Sequence, residues 1–240
     1  MTTPRLEIPI HPVTQPLALI SERQRESRSN VRRRWCRQHL VAAQYFADSA
    51  RAADEARLVG AGGESVRQRR EMVEASVCSA AGFLEMGVSA LYLELHESGL
   101  TSGRRHSRQQ HARLAQAWGH HQRAPVLQKY QLLLSLWDAD PFHPRKPPYL
   151  EVDRLLRWRD HLIQRPSVSA RHIDAEFPAE LPPGVSVHVE TSRTPEPQVG
   201  RLRLSADCAQ WAVDSVVTFT REFCCRMGLA PMEFGETGER

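Results

Sequence analysis

The side chains best suited to chemistry fall in one short segment, residues 147–165, with the sequence PPYLEVDRLLRWRDHLIQR. Wound at 100° per residue, its apolar positions Val152, Leu155, Leu156, Leu162 and Ile163 form a stripe, and Arg159 falls among them. An arginine in that position snorkels to solvent, pairs with an acid or lines a cleft. Asp160 follows it directly, and Gln164 reaches the same side one turn later. Trp158 flanks the stripe. Arg154 and His161, seven residues apart, share the other flank. Arginine is a permanent cation that stabilises a developing anion. Histidine is the side chain whose proton affinity suits an acid or base near neutral pH. Two sets follow: Arg159 with Asp160 and Gln164, and Arg154 with His161.

A helix must hold these groups, and the sequence supplies one. Pro148 suits its first turn and Pro166 stops it. The other elements are expected to pack against this helix. Val73, Val77, Ala80, Leu84, Val88, Leu91 and Leu95 recur at steps of three and four, which predicts a long amphipathic helix over 64–98. Ala80, Ala81, Gly82, Gly87, Ser89 and Ala90 would let another helix approach its middle closely. Glu85 sits beside its apolar stripe and is a candidate supporting acid. Helical patterns also cover 31–59 and 126–137, with the Gly60–Gly63 stretch as a break before the long helix. Alternating stretches at 185–189 and 199–204 predict a small hairpin. A last helix over 206–227 follows, with Ser205 and Asp207 as N-cap candidates and Gly228 as its stop.

The fold class expected is therefore all-α: a helical bundle over 31–228, an extended N-terminal arm over 1–30, a small β-hairpin before the last helix, and a flexible tail over 229–240. The arm is assigned because Pro4, Pro9, Pro12 and Pro16 block helix.

Of the 240 residues, 41% are hydrophobic and 25% charged, an ordinary globular balance. No apolar run free of charge approaches membrane-spanning length, since Glu85 and Glu94 interrupt the most apolar segment. A membrane is not an expected partner. The N-terminus lacks the basic start and apolar block of a signal peptide, so a cytoplasmic location is expected. The five cysteines form no CxxC pair and are expected as free thiols. Net charge is +4, and all but Lys129 and Lys146 of the 32 basic residues are arginine. Seven arginines crowd residues 23–37, and Arg32, Arg33, Arg34 and Arg37 are the candidate nucleic-acid contacts, because arginine forks onto phosphate. His106, His111, His120 and His121 lack the i,i+4 spacing that places two ligands on one helix face, so neither a metal nor another cofactor is expected. P-loop, GxGxxG, GxSxG and HExxH patterns are all missing, which removes the common nucleotide, hydrolase and zinc-enzyme classes.

The segment LQKYQLLLSLW (127–137), then PYLEVDRLLRWRDHLIQRP (148–166), resembles the HEPN superfamily of all-helical domains. Phe83-Leu84-Glu85 and Cys208–Ala212 resemble further helices of that family, so the likeness spans about residues 70–225. Active members are metal-independent ribonucleases in which an arginine and a histidine meet in a dimer cleft. The resemblance implies this chemistry: RNA carries its own 2′-hydroxyl nucleophile, and a base with a cation suffices. Residue by residue, Arg159 falls on the family arginine, Asp160 on its polar position and Gln164 on its histidine. Glutamine does not titrate and cannot act as base or acid. The resemblance therefore implies a degenerate site in a non-catalytic dimerisation or interaction module, linked to RNA or to a defence or toxin–antitoxin system. The expected partner is a second copy or another protein, with RNA as a further ligand. Two alternatives stand beside it. One is a metal-independent endoribonuclease using Arg154 or Arg159 with His161. The other is a nucleic-acid binder acting through residues 23–37.

Overall fold

The computed structural model describes residues 17–58, 64–98, 112–114, 116–117, 119, 123–164, 182–189 and 200–229. Five long helices and one hairpin carry the architecture among them: α1 (Leu17–Leu58), α2 (Glu64–Ser98), α3 (Val126–Leu136), α4 (Tyr149–Gln164), β1 (Val185–Val189), β2 (Gly200–Leu204) and α5 (Ala206–Met227). The protein is an all-α bundle with a two-stranded antiparallel sheet, in which Val185 pairs with Leu204 and Val189 with Gly200.

α1 and α2 form an antiparallel pair. Cys36 reaches the Phe83 carbonyl, Ser76 donates to the Ala43 carbonyl, and Asp54 meets Arg69, so the partner's number falls on α2 as it rises on α1. The inner seam of α1 is Cys36, Leu40, Ala43, Ala47 and Ala50, all buried at steps of four and three. Its small residues allow close approach. On α2 the small positions do the same: a Cβ at Gly82 would stand 3.0 Å from His39 Nδ1, and one at Gly87 would stand 3.2 Å from the Tyr130 hydroxyl.

Two expectations change here. The first concerns the arm. α1 begins at Leu17, so residues 17–30 of the expected arm are helical rather than extended. No proline or glycine follows Pro16 until Gly60, proline is tolerated just ahead of a helix, and arginine is a good helix former. Residues 1–16 of the expected arm and 230–240 of the expected tail lie outside the described residues. The second concerns which helix organises the bundle. It is α2, not α4: α2 contacts α1, α3, α4, α5 and β2. Its Arg67–Leu95 stretch is apolar and long enough to span a membrane by composition, yet most of it is buried inside the protein as a core helix.

α5 lies against both helices of the pair, with Ala209, Ala212, Val216 and Phe219 fully buried. Tyr130 of α3 joins it to α2. The Tyr130 hydroxyl donates to the Leu84 carbonyl at 3.1 Å, and its ring meets Phe219 and Phe223 edge-on at 5.0 and 4.8 Å. Burying each such side chain stabilises by roughly 1.5–3 kcal/mol. The connector from α3 to α4 is pinned by Gln131, whose side-chain amide both donates to and accepts from the Phe142 backbone at 2.7 and 2.9 Å. Arg226 covers the Phe142 ring and donates to the Asp140 and Pro141 carbonyls. These contacts fix where α4 starts.

Candidate functional site

α4 enters the bundle on a face turned from the one its apolar pattern predicts. Val152, Leu155, Trp158 and Leu162 are buried, and Trp158 is fully enclosed. Ile163, expected on the stripe, is 62% exposed. Trp158 presents far more apolar surface than Ile163, so burying the indole sets the rotation. The indole lies close enough to the buried Cys208 thiol of α5 for its N–H to act on that thiol electrostatically. His161, expected off the stripe, is carried into the interior by the same rotation and stacks on Trp158 at 5.4 Å between ring centroids.

Arg159 is left at the margin of this buried face, with its side chain 20% exposed. Its Nη1 donates to Glu85 Oε1 of α2 at 2.9 Å. Asp160 Oδ1 stands 2.7 Å from Arg159 Nε, but that N–H has no aligned acceptor, so Asp160 contributes charge rather than a well-formed hydrogen bond. Burial alone would lower the Arg159 pKa. The hydrogen bond and charge of Glu85, with the charge of Asp160, more than offset it, and the guanidinium is held above its ordinary value. Cys78, one turn beyond Glu74 on α2, lies within the field of the same guanidinium. Burial raises its thiol pKa, Arg159 pulls it back, and Glu74 pushes it up again.

The sequence-based candidates thus divide. Arg159, Asp160 and Glu85 are brought together. Arg154 and His161 are not joined as a pair: Arg154 Nη1 meets Glu151 at 3.2 Å, and the second oxygen of Glu151 accepts from the Trp211 indole at 2.9 Å. Arg154 therefore belongs to an α4–α5 bridge, while His161 packs against Trp158. Gln164 is the last residue of α4, and its side chain lies outside the described residues. Arg34 and Arg37 are exposed on α1; the side chains of Arg32 and Arg33 lie outside the described residues. Among the described residues, no three His, Cys, Asp or Glu side chains converge as metal ligands.

The arrangement at Arg159 is an ion cluster between two helices. Among the described residues it joins one cation to two carboxylates. Through Glu85 it links α4 to α2.

A stronger charged joint was missed from sequence. Asp54 of α1 meets Arg69 Nη1 at 2.5 Å, and its other oxygen accepts from the Ala206 backbone N–H at 3.0 Å. Arg69 is buried, and Ala206 opens α5. One carboxylate therefore ties α1, α2 and the N-terminus of α5. Ser205, the expected N-cap, makes no side-chain capping bond there. A signal was available. Six residues separate Asp54 from Gly60 and six separate Gly63 from Arg69, so a helical hairpin about that break sets the two opposite each other.

No protein-family model, curated protein or solved structure matches the chain.

Proposed function

We propose that this chain is a non-catalytic, HEPN-like helical module that works by holding a protein partner, in a setting connected with RNA or with cellular defence. The observation that carries this reading is the environment of Arg159. The one arginine that falls on the family's catalytic position is closed by Glu85 and Asp160, so its charge faces carboxylates rather than an open phosphate site. The histidine nearest to it in sequence, His161, is 9% exposed and stacked on Trp158. A base needs reach to a substrate hydroxyl, and that packing works against it. Five free cysteines suit a reducing compartment such as the cytoplasm.

The test is an RNA cleavage assay without added metal, on single-stranded and hairpin substrates. The expected result is intact RNA with the parent chain and with Arg159→Ala and His161→Ala. Cleavage by the parent that disappears in Arg159→Ala or His161→Ala would replace this reading with the ribonuclease.

A further inference from the structure

We infer that the outer face of α1 is the docking surface for a second copy of this chain, laid antiparallel across the first. The inference rests on the interaction-module reading above and names its partner.

α1 carries two seams. The inner one, from Cys36 to Ala50, is buried against α2 and α5. Directly opposite runs a second series with the same steps of four and three: Arg34, Gln38, Val41, Tyr45 and Asp48, all exposed. Val41 is 57% and Tyr45 65% exposed. Trp35, on the edge of the same face, is 56% exposed. Among the described residues four large apolar side chains are exposed, and three of them are these. A shallow hollow along this face is lined by Arg34, Arg37, Val41 and Tyr45 among others, all from α1. Exposed apolar side chains gathered on one helix face mark a docking site more readily than the same residues scattered.

Charge selects the occupant. The two arginines, Arg34 and Arg37, stand at the N-terminal end of the seam, and the carboxylate of Asp48 stands at the other. A second copy laid parallel would set arginine on arginine. Laid antiparallel about a two-fold axis between Val41 and Tyr45, it sets the apolar pair of one copy on that of the other. The same operation sets Arg37 of each copy beside Asp48 of the partner subunit and carries Arg34 one turn further, between that carboxylate and Glu55 of the partner subunit and next to Arg51 of the partner subunit. A face that complements itself under a two-fold rotation is what an isologous interface requires. Among the described residues Asp48 is held by Gln44 at 3.0 Å and Arg51 at 3.7 Å, both surface contacts of small worth that can be exchanged. Nucleic acid fits this face less well, because Asp48 and the exposed Glu55 would meet phosphate on it.

The experiment is sedimentation of the full chain over a hundredfold concentration range, with two charge-reversed variants, Arg34→Glu/Arg37→Glu and Asp48→Arg. The parent is expected to pass from monomer to dimer. Each variant alone, with an unchanged far-UV helical spectrum, is expected to associate at least tenfold more weakly. Mixed one to one, the two variants are expected to regain association, because each then offers the charge the other needs. A parent that stays monomeric, variants that dimerise as well as the parent, or a mixture that stays monomeric would each overturn the proposal. So would a monomeric parent that binds single-stranded RNA through Arg34 and Arg37. RNA cleavage measured on the same samples reports separately on the underlying reading: an uncleaving monomer removes this dimer face and leaves the non-catalytic module standing.

Discussion

Arg159 on α4 and Glu85 on α2 meet at 2.9 Å although 74 residues separate them in the chain. Their contact joins α4 to α2 through the arginine that the sequence resemblance singles out. The same pair that would have been read as cation and supporting acid serves as a strut between two helices. Its strength is limited, because the Glu85 side chain is 49% exposed. A double-mutant cycle of Arg159→Ala and Glu85→Ala is expected to give a coupling of roughly 0.5–1 kcal/mol in urea unfolding. A coupling near zero would mean that the contact does not hold α4 in place.

The Asp54 joint is expected to matter more. Asp54→Ala removes the acceptor for the Ala206 N–H and leaves Arg69 buried without its carboxylate. Breaking a buried pair by removing one partner costs about 3–5 kcal/mol, and losing a helix cap adds about 1. A loss of roughly 3 kcal/mol or more is expected for Asp54→Ala, discounted because the Asp54 side chain is 30% exposed. Asp54→Asn keeps an acceptor for the backbone N–H but not the charge, and is expected to fall between the two. Equal losses for Asn and Ala would assign the whole effect to charge and none to capping.

Much of the fold was legible because its helices are long and periodic. The limits of α2 and α5 follow from the apolar steps of three and four and from Gly228, which caps α5 in the left-handed conformation at φ 65°. The rotation of α4 was not legible. Trp158 and Ile163 compete for the same interior, and the place the indole takes lies beside Cys208, fifty residues later in the chain. The start of α1 was missed for a different reason. Four prolines before residue 17 argue for an extended chain, but their effect ends with them, since none of the arginines that follow disfavours a helix. Glu85 was legible as a candidate acid beside the stripe, whereas Asp54 on exposed-looking helix surface acquires its meaning only once α1, α2 and α5 converge on it.

Gly184 offers a backbone test of the hairpin and its junction with α5. Its φ is +74°, and a Cβ there would stand 2.5 Å from both the Cys208 backbone nitrogen and Ser205 Oγ. The Gly184 carbonyl also accepts from the Ser205 N–H at 2.9 Å. Alanine is therefore strained by conformation and blocked by backbone at once. Gly184→Ala is expected to lose at least about 2 kcal/mol by thermal or urea unfolding. An unchanged midpoint would mean that the turn before β1 can move without disturbing α5.

Two enclosed thiols make stability fall on the alkaline side. Burial pushes Cys36 and Cys208 from 9.0 up to about 12; Glu94 adds to the first, and the nearby Trp158 indole only partly opposes the second. Below pH 9 the folded and unfolded chains both keep these protons, so the contribution is complete and flat. Between 9.0 and about 12 the unfolded chain has released them while the folded chain has not, so stability drops as pH rises. Each thiol contributes a slope approaching about 1.4 kcal/mol per pH unit. Urea unfolding of the parent at pH 7, 8, 8.5, 9 and 9.5, a range set to stay below the titration of free tyrosine at about 10, is expected to be flat and then to fall. Cys36→Ala/Cys208→Ala starts from a lower stability at pH 7 but is expected to fall less steeply above pH 9. Parallel curves for the two proteins would place the alkaline loss on other groups and remove both thiols from the account.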